Sequence, residues 1–402
     1  QRVLDRYFIE GGREEGKPYK NVPAWAVDPS ESLIELCIVS NFGEVFLAKE
    51  GHDSPVGINY LEKIQLPVVC STIGAMLAGV DAIIMGAGIP KQMPKLIRDL
   101  SQNKVGEYKV TVEEALAGEE FIISQDPVKL LGPDIVLKKP AFIAIITSNT
   151  LATYLIKDPE TRPDGLIVEL PTAGGHNAPP RGVLKLDELG QPIYGDRDHP
   201  NFEQMTNAGL PYWIAGSWGK PEMLKKAREL GARGVQVGTA FAFSDESGFS
   251  KEVKQQVFKQ VENGGVKVFT DPVASPSGFP FKVVELDGTA SVEEVYLKRK
   301  RVCDLSYLRS CYRKEDGSVG YRCSAEPLST FLRKGGTTEQ TEGKKCLCNH
   351  LMSNIGLGQL RNGTPESTLV TSGDDLTEMI STLGDNRGHY GAVDVLNYIL
   401  NQ

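Results

Sequence analysis

The chain has 402 residues, of which 40% are hydrophobic and 24% are charged, and its formal net charge is −8. These proportions are ordinary for a folded domain and exclude a disordered, collagen-like or coiled-coil chain. The acidic balance argues against nucleic acid and anionic membrane surfaces as main partners, because phosphate groups are bound by clustered positive charge.

Short apolar runs bounded by turns are typical of buried parallel strands. The sequence contains five such runs, at residues 81–85, 141–146, 165–170, 212–215 and 234–237. Before the first run, the apolar stretch from Cys70 is interrupted by Gly79 and Asp81, so it predicts a buried helix and a turn rather than a membrane span. Helical patterns occupy residues 221–230 and 250–261.

Strands that alternate with helices indicate right-handed βαβ units and a parallel sheet. An open doubly wound sheet and a closed barrel both fit this pattern. In both architectures ligands bind at the C-terminal ends of the strands, where glycine lets the main chain approach a ligand. Several strands are followed directly by glycines, namely Gly86, Gly88, Gly174, Gly175, Gly216, Gly219 and Gly238.

The pattern changes near residue 286, where apolar periodicity weakens. We therefore predict a barrel-type part at 1–285 and an appended helical and irregular part at 286–402. The appended part contains five of the seven cysteines, which are Cys303, Cys311, Cys323, Cys346 and Cys348. They form no paired CxxC array, so we expect free thiols and no metal, with a structural zinc site as the alternative. The odd number of cysteines and the lack of a secretory signal predict a cytoplasmic protein.

His176 is the best candidate for proton transfer among five histidines. It follows the strand at 165–170 in a loop that has two glycines before it and two prolines after it. A stiff loop at the carboxyl end of a strand is where a barrel enzyme carries catalytic groups, although a lone loop histidine can also be a surface residue. His52 is a second candidate.

Two successive strands each end in a glycine followed by a hydroxyl residue, Gly216-Ser217 and Gly238-Thr239. In a barrel, main-chain N–H groups of two adjacent late loops form a phosphate site. The alternative is that each hydroxyl caps its own helix. A phosphate site close to a histidine loop favours FMN, since the glycine motifs of NAD and ATP sites are missing.

Several segments resemble the nitronate monooxygenase family, also called 2-nitropropane dioxygenase-like. The matching segments lie within about residues 30–285 and are 56–59 (VGIN), 85–90 (MGAGIP), 173–176 (AGGH), 214–217 (IAGS) and 237–241 (VGTAF). The tail, at 345–349 and 354–359, is similar to that of a longer bacterial branch of the family.

The resemblance implies an α/β fold of the TIM (β/α)8-barrel type and FMN as cofactor. It implies that His176 is the active-site histidine beside the flavin and that Asn59 contacts the flavin. The expected cofactor-binding set also contains Gly174, Gly175, Gly216, Ser217, Gly238 and Thr239.

The chain departs from the family pattern at three places. Ser217-Trp218 stands where the family often has two glycines, and an apolar residue near Ile145 replaces a flavin-contacting lysine. No segment matches the family's first strand and its Gly-Gly-Met loop. We therefore expect a barrel that is incomplete at its N-terminal side and a sequence that is a portion of a longer one.

The function implied by the resemblance is FMN-dependent oxidation of alkyl nitronates or nitroalkanes by O2 to a carbonyl compound and nitrite. The expected partners are a small-molecule substrate and O2, without nucleic acid or membrane, and a homodimer is allowed. One alternative is an FMN-dependent NAD(P)H enoyl-thioester reductase that acts with a fatty-acid or polyketide synthase. A further alternative is a non-catalytic barrel scaffold with a binding tail.

Overall fold

A six-stranded parallel sheet is the centre of the computed structural model, which describes residues 1–384 and 388–401. In these residues the strands are β1 (Gly57–Leu61), β2 (Ala82–Gly86), β3 (Gly106–Val110), β4 (Val112–Glu113), β5 (Phe121–Gln125), β6 (Ala141–Ile146), β7 (Gly165–Glu169), β8 (Tyr212–Ala215), β9 (Gly234–Gln236), β10 (Val268–Asp271), β11 (Phe281–Val284), β12 (Ser310–Arg313), β13 (Val319–Arg322), β14 (Leu360–Arg361) and β15 (Thr364–Pro365). The α-helices of the same residues are α1 (Arg2–Tyr7), α2 (Glu31–Ala48), α3 (Val68–Leu77), α4 (Met93–Ser101), α5 (Pro127–Leu131), α6 (Asn149–Lys157), α7 (Phe202–Asn207), α8 (Pro221–Glu229), α9 (Thr239–Ala242), α10 (Lys251–Glu262), α11 (Glu293–Lys298), α12 (Leu328–Arg333), α13 (Leu347–Asn354), α14 (Leu376–Gly384) and α15 (Ala392–Leu400).

The strands of the main sheet follow one another in chain order, β1-β2-β6-β7-β8-β9, and every neighbouring pair is parallel. A doubly wound sheet would reverse its strand order, whereas a (β/α) barrel adds each strand on the same side. The sheet curls into a half-barrel, and within the described residues β1 and β9 each pair with one strand only. The predicted α/β fold of the barrel type, incomplete as a closed (β/α)8 barrel, is confirmed.

The five strands predicted from apolar runs are β2, β6, β7, β8 and β9, each within one residue of its predicted ends. These strands are interior or largely covered, as in β7, where Gly165–Val168 are buried. The predictions did not include β1, because this edge strand alternates between exposed and half-buried residues and has no continuous apolar run.

The part of the chain after residue 285 packs closely on the part before it. One hydrophobic cluster contains Phe243, which directly follows α9, and Val257 of α10. The same cluster contains Met379 and Leu383 of α14 and Tyr390. The strand β12 pairs in parallel with β4, which lies between β2 and β6 in the chain. The appended region is thus helical with additional short strands, and the boundary at 285/286 stays a prediction.

The seven cysteines are all free thiols. Cys323 and Cys346 are buried in a small cluster that also contains Cys303. Among residues 1–384 and 388–401, no group of three or more His, Cys, Asp or Glu side chains is arranged to hold a metal ion. In the same residues no helix combines the length and the apolar character needed to cross a membrane.

The helices α2 and α3 approach each other closely at Gly74, where a Cβ atom would overlap the main-chain oxygen of Ile38. We expect Gly74→Ala to lower the free energy of unfolding by about 1–3 kcal/mol, because overpacking outweighs the better helix propensity of alanine. Gly43 on α2 has open space around its Cα, so Gly43→Ala should instead raise it by up to about 1 kcal/mol. Denaturant unfolding of both variants tests this contrast, and equal effects would contradict it.

Candidate active site at the carboxyl ends of the strands

The glycine-rich loops that follow β7, β8 and β9 line one cavity of about 290 Å³. Six of the predicted cofactor-binding residues lie around it, namely Gly174, Gly175, Gly216, Ser217, Gly238 and Thr239. The parallel strands end at the same edge of the sheet, so their loops meet there although they are far apart in sequence. The structure thus brings together the two Gly-plus-hydroxyl pairs and the two glycines that precede His176.

Several main-chain N–H groups at this cavity lack a hydrogen-bond acceptor among the described residues. The N–H groups of Gly216, Ser217, Gly238 and Thr239 have no hydrogen-bond acceptor among the described residues. Gly216 and Ser217 both have positive φ, 99° and 58°. Since unpaired main-chain donors are costly away from water, this arrangement favours a ligand that carries acceptors, such as a phosphate.

The two hydroxyls that the sequence suggested as phosphate donors are already engaged by protein. The Thr239 Oγ1 accepts a hydrogen bond from the N–H of Gly373 at 2.9 Å. The Ser217 hydroxyl donates to the main-chain oxygen of Thr172 at 3.3 Å. The Ser217 hydrogen is thus used within the protein, whereas the Thr239 hydroxyl only accepts and keeps its own hydrogen free to donate to an anion, as do the main-chain N–H groups.

A segment near the C-terminus, 371–375, forms one wall of the same cavity. It ends in Asp375, whose Oδ1 is buried without a hydrogen-bond partner in the described part of the chain. Burial raises the pKa of the Asp375 carboxyl above its ordinary value, and the Ser217 hydroxyl and Lys220 oppose that rise. An acidic group therefore lines the same cavity as the unpaired N–H groups.

The histidine loop is held against β11. An antiparallel bridge joins His176 to Phe281, the N–H of Asn177 donates to Pro280 O, and the N–H of Lys282 donates to Gly175 O, both at 2.9 Å. The His176 ring packs edge-on against Phe281 with ring centroids 4.9 Å apart. These contacts fix the direction in which the imidazole projects.

His176 lines a second cavity of about 180 Å³, at the carboxyl ends of β2, β6 and β7. Its Nε2 is 2.8 Å from the Ser275 Oγ, and burial lowers the pKa of the ring to about 4. The imidazole is therefore neutral at physiological pH. Ile145, the apolar residue near which the family has a lysine, lines the same cavity.

Glu169, the last residue of β7, lines both cavities. Its carboxyl makes no hydrogen bond or ion pair with any residue in 1–384 or 388–401, and burial raises its pKa to about 8. Close to neutral pH it is therefore largely a protonated acid. A ligand that extends from the glycine loops to His176 would pass this carboxyl.

Asn59 is not brought to these cavities. It is exposed on the edge strand β1 and lines neither of them, so its predicted flavin contact stays a prediction. His52 is also exposed, and its Nε2 lies 2.8 Å from Ala48 O at the end of α2. His52 thus contacts the main chain at the C-terminal end of α2.

Sequence reasoning missed Glu169, Ser275 and the wall formed by 371–375. The signal for Glu169 was present, because it is the one charged residue in the apolar run GLIVEL. Ser275 and the 371–375 segment lie 99 or more residues from His176 in the sequence, so only the folded chain places them at the site.

The cavities fit the expected FMN at its phosphate end. Four main-chain N–H groups without acceptors suit a phosphate, and the neighbouring cavity with His176 and Glu169 offers room for a larger ring system. Asp375 opposes the phosphate charge unless its carboxyl is protonated, which its raised pKa favours.

The raised pKa of Glu169 predicts a pH-dependent stability. Ionisation of this carboxyl is disfavoured in the folded state, so stability should fall as the pH rises from about 4.5 to about 8. Glu169→Gln removes that penalty, and we expect its melting temperature to exceed that of the wild type by a margin that grows across this range. Thermal melts at several pH values measure the margin, with Glu203→Gln, at an exposed position of α7, as the charge-matched control. A margin independent of pH would contradict the assignment.

No protein-family model matches the chain, and no curated protein matches it. Among solved structures, it is similar to FabK from Thermotoga maritima, with 15% identity, a TM-score of 0.47, and coverage of 90% of this chain and 79% of that one.

Two other solved structures resemble this chain with similarly low sequence identity and TM-score. Nitroalkane oxidase from Streptomyces ansochromogenes has 13% identity and a TM-score of 0.41, over 96% of this chain and 80% of that one. The enoyl reductase domain of MlnA, from the macrolactin biosynthesis cluster of Bacillus amyloliquefaciens, has 11% identity and a TM-score of 0.45, over 90% of this chain and 85% of that one. Similarities this distant do not identify the reaction of the present chain.

Proposed function

We propose that the protein is an FMN-dependent oxidoreductase that oxidises alkyl nitronates with O2 to a carbonyl compound and nitrite. One observation carries the proposal: the glycine-lined cavity with four unpaired N–H groups adjoins the cavity of His176, and Glu169 borders both. A ligand with a phosphate at one end and a reactive ring at the other would span the two.

The residues of this chain bind and orient the reactants. The N–H groups of Gly216, Ser217, Gly238 and Thr239 would hold the phosphate, and FMN when bound would supply the redox chemistry with O2. The nitronate is already an anion, so it needs no strong base. The neutral His176 ring would hydrogen-bond the nitro oxygens, and the protonated Glu169 would leave the cavity without a competing negative charge.

A second candidate is reduction of an enoyl thioester by NAD(P)H through the same cofactor. Glu169 favours it, because such a reduction ends with proton delivery to carbon and a protonated carboxyl beside the cavity could supply that proton. A scaffold without catalysis remains the third alternative.

The visible spectrum of the purified protein with FMN separates these functions. The proposal expects bound yellow cofactor that bleaches when a nitronate is added without oxygen and recovers in air. Bleaching by NADPH but not by nitronate would replace the proposal with the reductase. Protein that takes up no FMN would favour the scaffold.

Replacement of His176 tests its role. We expect His176→Ala to lower turnover of nitronate at least about a hundredfold while FMN stays bound, because the ring contacts the substrate cavity and not the glycine-lined one. Steady-state oxygen consumption and a flavin titration measure the two effects. His52→Ala, at an exposed histidine, is the control. Unchanged turnover of His176→Ala would contradict the assignment.

Asp375 provides a test of the phosphate end. An ionised Asp375 repels a neighbouring phosphate by about 1 kcal/mol, so at pH values where this carboxyl is ionised Asp375→Asn should tighten FMN binding by roughly fivefold. Fluorescence titration with FMN measures the dissociation constant. Asp53→Asn, an equal change of net charge at an exposed position, should leave it unchanged. Weaker FMN binding by Asp375→Asn would show that the phosphate does not lie at this wall.

A further inference from the structure

His176 is the first member of a chain of side-chain hydrogen bonds that leads away from the substrate cavity. Its Nε2 lies 2.8 Å from the Ser275 Oγ, and the Ser275 Oγ lies 2.7 Å from the Ser277 Oγ. Ser275 is fully buried, whereas Ser277 is half-buried. The loop between β10 and β11 thus supplies two hydroxyls in series behind the imidazole.

The far end of this chain reaches a different cavity. Ser277 lines an opening of about 170 Å³ between residues 63–67 and residues 306–311, and Lys63, Glu113 and Arg309 line the same opening. His176 does not line that opening. The two hydroxyls therefore connect the cavity lined by His176 with the opening lined by Ser277.

No charged side chain of the described residues hydrogen-bonds to the Ser275 or Ser277 hydroxyl. Lys344 Nζ donates to the main-chain oxygen of Ser275 at 3.0 Å, not to its hydroxyl. Glu169 borders the cavity of His176. No described residue hydrogen-bonds to the Nδ1 of His176, so this nitrogen is the one available to a substrate.

The hydrogen bonds can run in either direction. In one, Nε2–H donates to Ser275 and Ser275 donates to Ser277; in the other, Ser277 donates to Ser275 and Ser275 donates to Nε2. In both arrangements the N–H of Ser277 donates to the Ser275 Oγ at 3.1 Å. The single hydroxyl hydrogen of Ser275 is therefore donated either to Ser277 or to Nε2 at any one time. Reversal of these hydrogen bonds moves one proton between the imidazole and the opening lined by Ser277.

We propose that Ser275 and Ser277 relay the proton that His176 removes from a neutral nitroalkane to solvent in the opening lined by Ser277. The inference rests on the proposed function. The α C–H bond of the substrate breaks, its electron pair stays on the substrate as the nitronate, and the proton binds Nδ1. Nε2 gives its proton to Ser275, Ser275 gives its own to Ser277, and Ser277 releases one to water.

The relay answers a difficulty of the site. A ring whose pKa is held near 4 by burial cannot retain a second proton at neutral pH. An imidazole that accepts a proton at one nitrogen while it loses one from the other remains neutral. A preformed nitronate needs no proton removal and therefore no relay.

Paired substrates test the relay. With wild-type enzyme loaded with FMN, kcat is measured for nitroethane and for preformed ethyl nitronate. We expect Ser275→Ala and Ser277→Ala to lower kcat for nitroethane at least about tenfold and to leave kcat for ethyl nitronate within about twofold. Ser40→Ala, at an exposed serine of α2, controls for loss of a hydroxyl. Equal effects on the two substrates would overturn the relay.

A readout without cofactor or turnover separates the relay from the proposed function. Nitrogen-15 NMR of the imidazoles is tractable because the chain has five histidines. In the cofactor-free wild type we expect the neutral His176 to show hydrogen bonding at Nε2, and Ser275→Ala to shift that resonance and change the tautomer ratio. If the wild type oxidises neither substrate, the proposed function fails. An unchanged Nε2 resonance in Ser275→Ala would overturn the relay whatever the activity.

Discussion

The structure of the site depends on the clamping of one loop from two sides. The main chain of Gly175 accepts a hydrogen bond from Lys282 of β11 and donates another to the Thr371 Oγ1, at 2.9 and 2.8 Å. Gly174 has no side chain, and a Cβ there would lie 2.7 Å from the main chain of Ser372. Each hydrogen bond contributes only about 1 kcal/mol, but leaving buried groups unpaired would cost more. The loop is therefore fixed, and His176 with it.

Few titratable groups line the two cavities, and burial disfavours the charged form of each. The pKa of His176 is lowered to about 4, that of Glu169 is raised to about 8, and that of Asp375 is also raised, with burial as the largest cause each time. Main-chain N–H groups then provide the positive potential. Such a site suits anionic ligands, because they enter without displacing fixed countercharges and without strong repulsion.

The chain after residue 285 takes part in the site as well as in the core. Its 371–375 segment walls the glycine-lined cavity, and α14 and α15 cover α9 and α10 through one hydrophobic cluster. The weak apolar periodicity of this region made it look peripheral in the sequence. Its 371–375 segment instead contacts the loops at the ends of the strands, as in the hydrogen bond from the Gly373 N–H to the Thr239 Oγ1.

The sequence by itself determined five strands of the main sheet and the glycines at their carboxyl ends, among them Gly174, Gly175, Gly216 and Gly238, because continuous apolar runs and the glycines after them are local signals. Those runs fitted an open doubly wound sheet as well as a barrel, and the strand order of the folded chain decided for the barrel type. The edge strand with Asn59 was not predicted as a strand, since exposure on one side leaves no such run. Only the tertiary structure decided that Ser275 contacts the His176 ring and that Asp375 lines the same cavity as the glycine-rich loops. Those contacts join segments 99 and more residues apart, and no local pattern encodes which distant loops will meet.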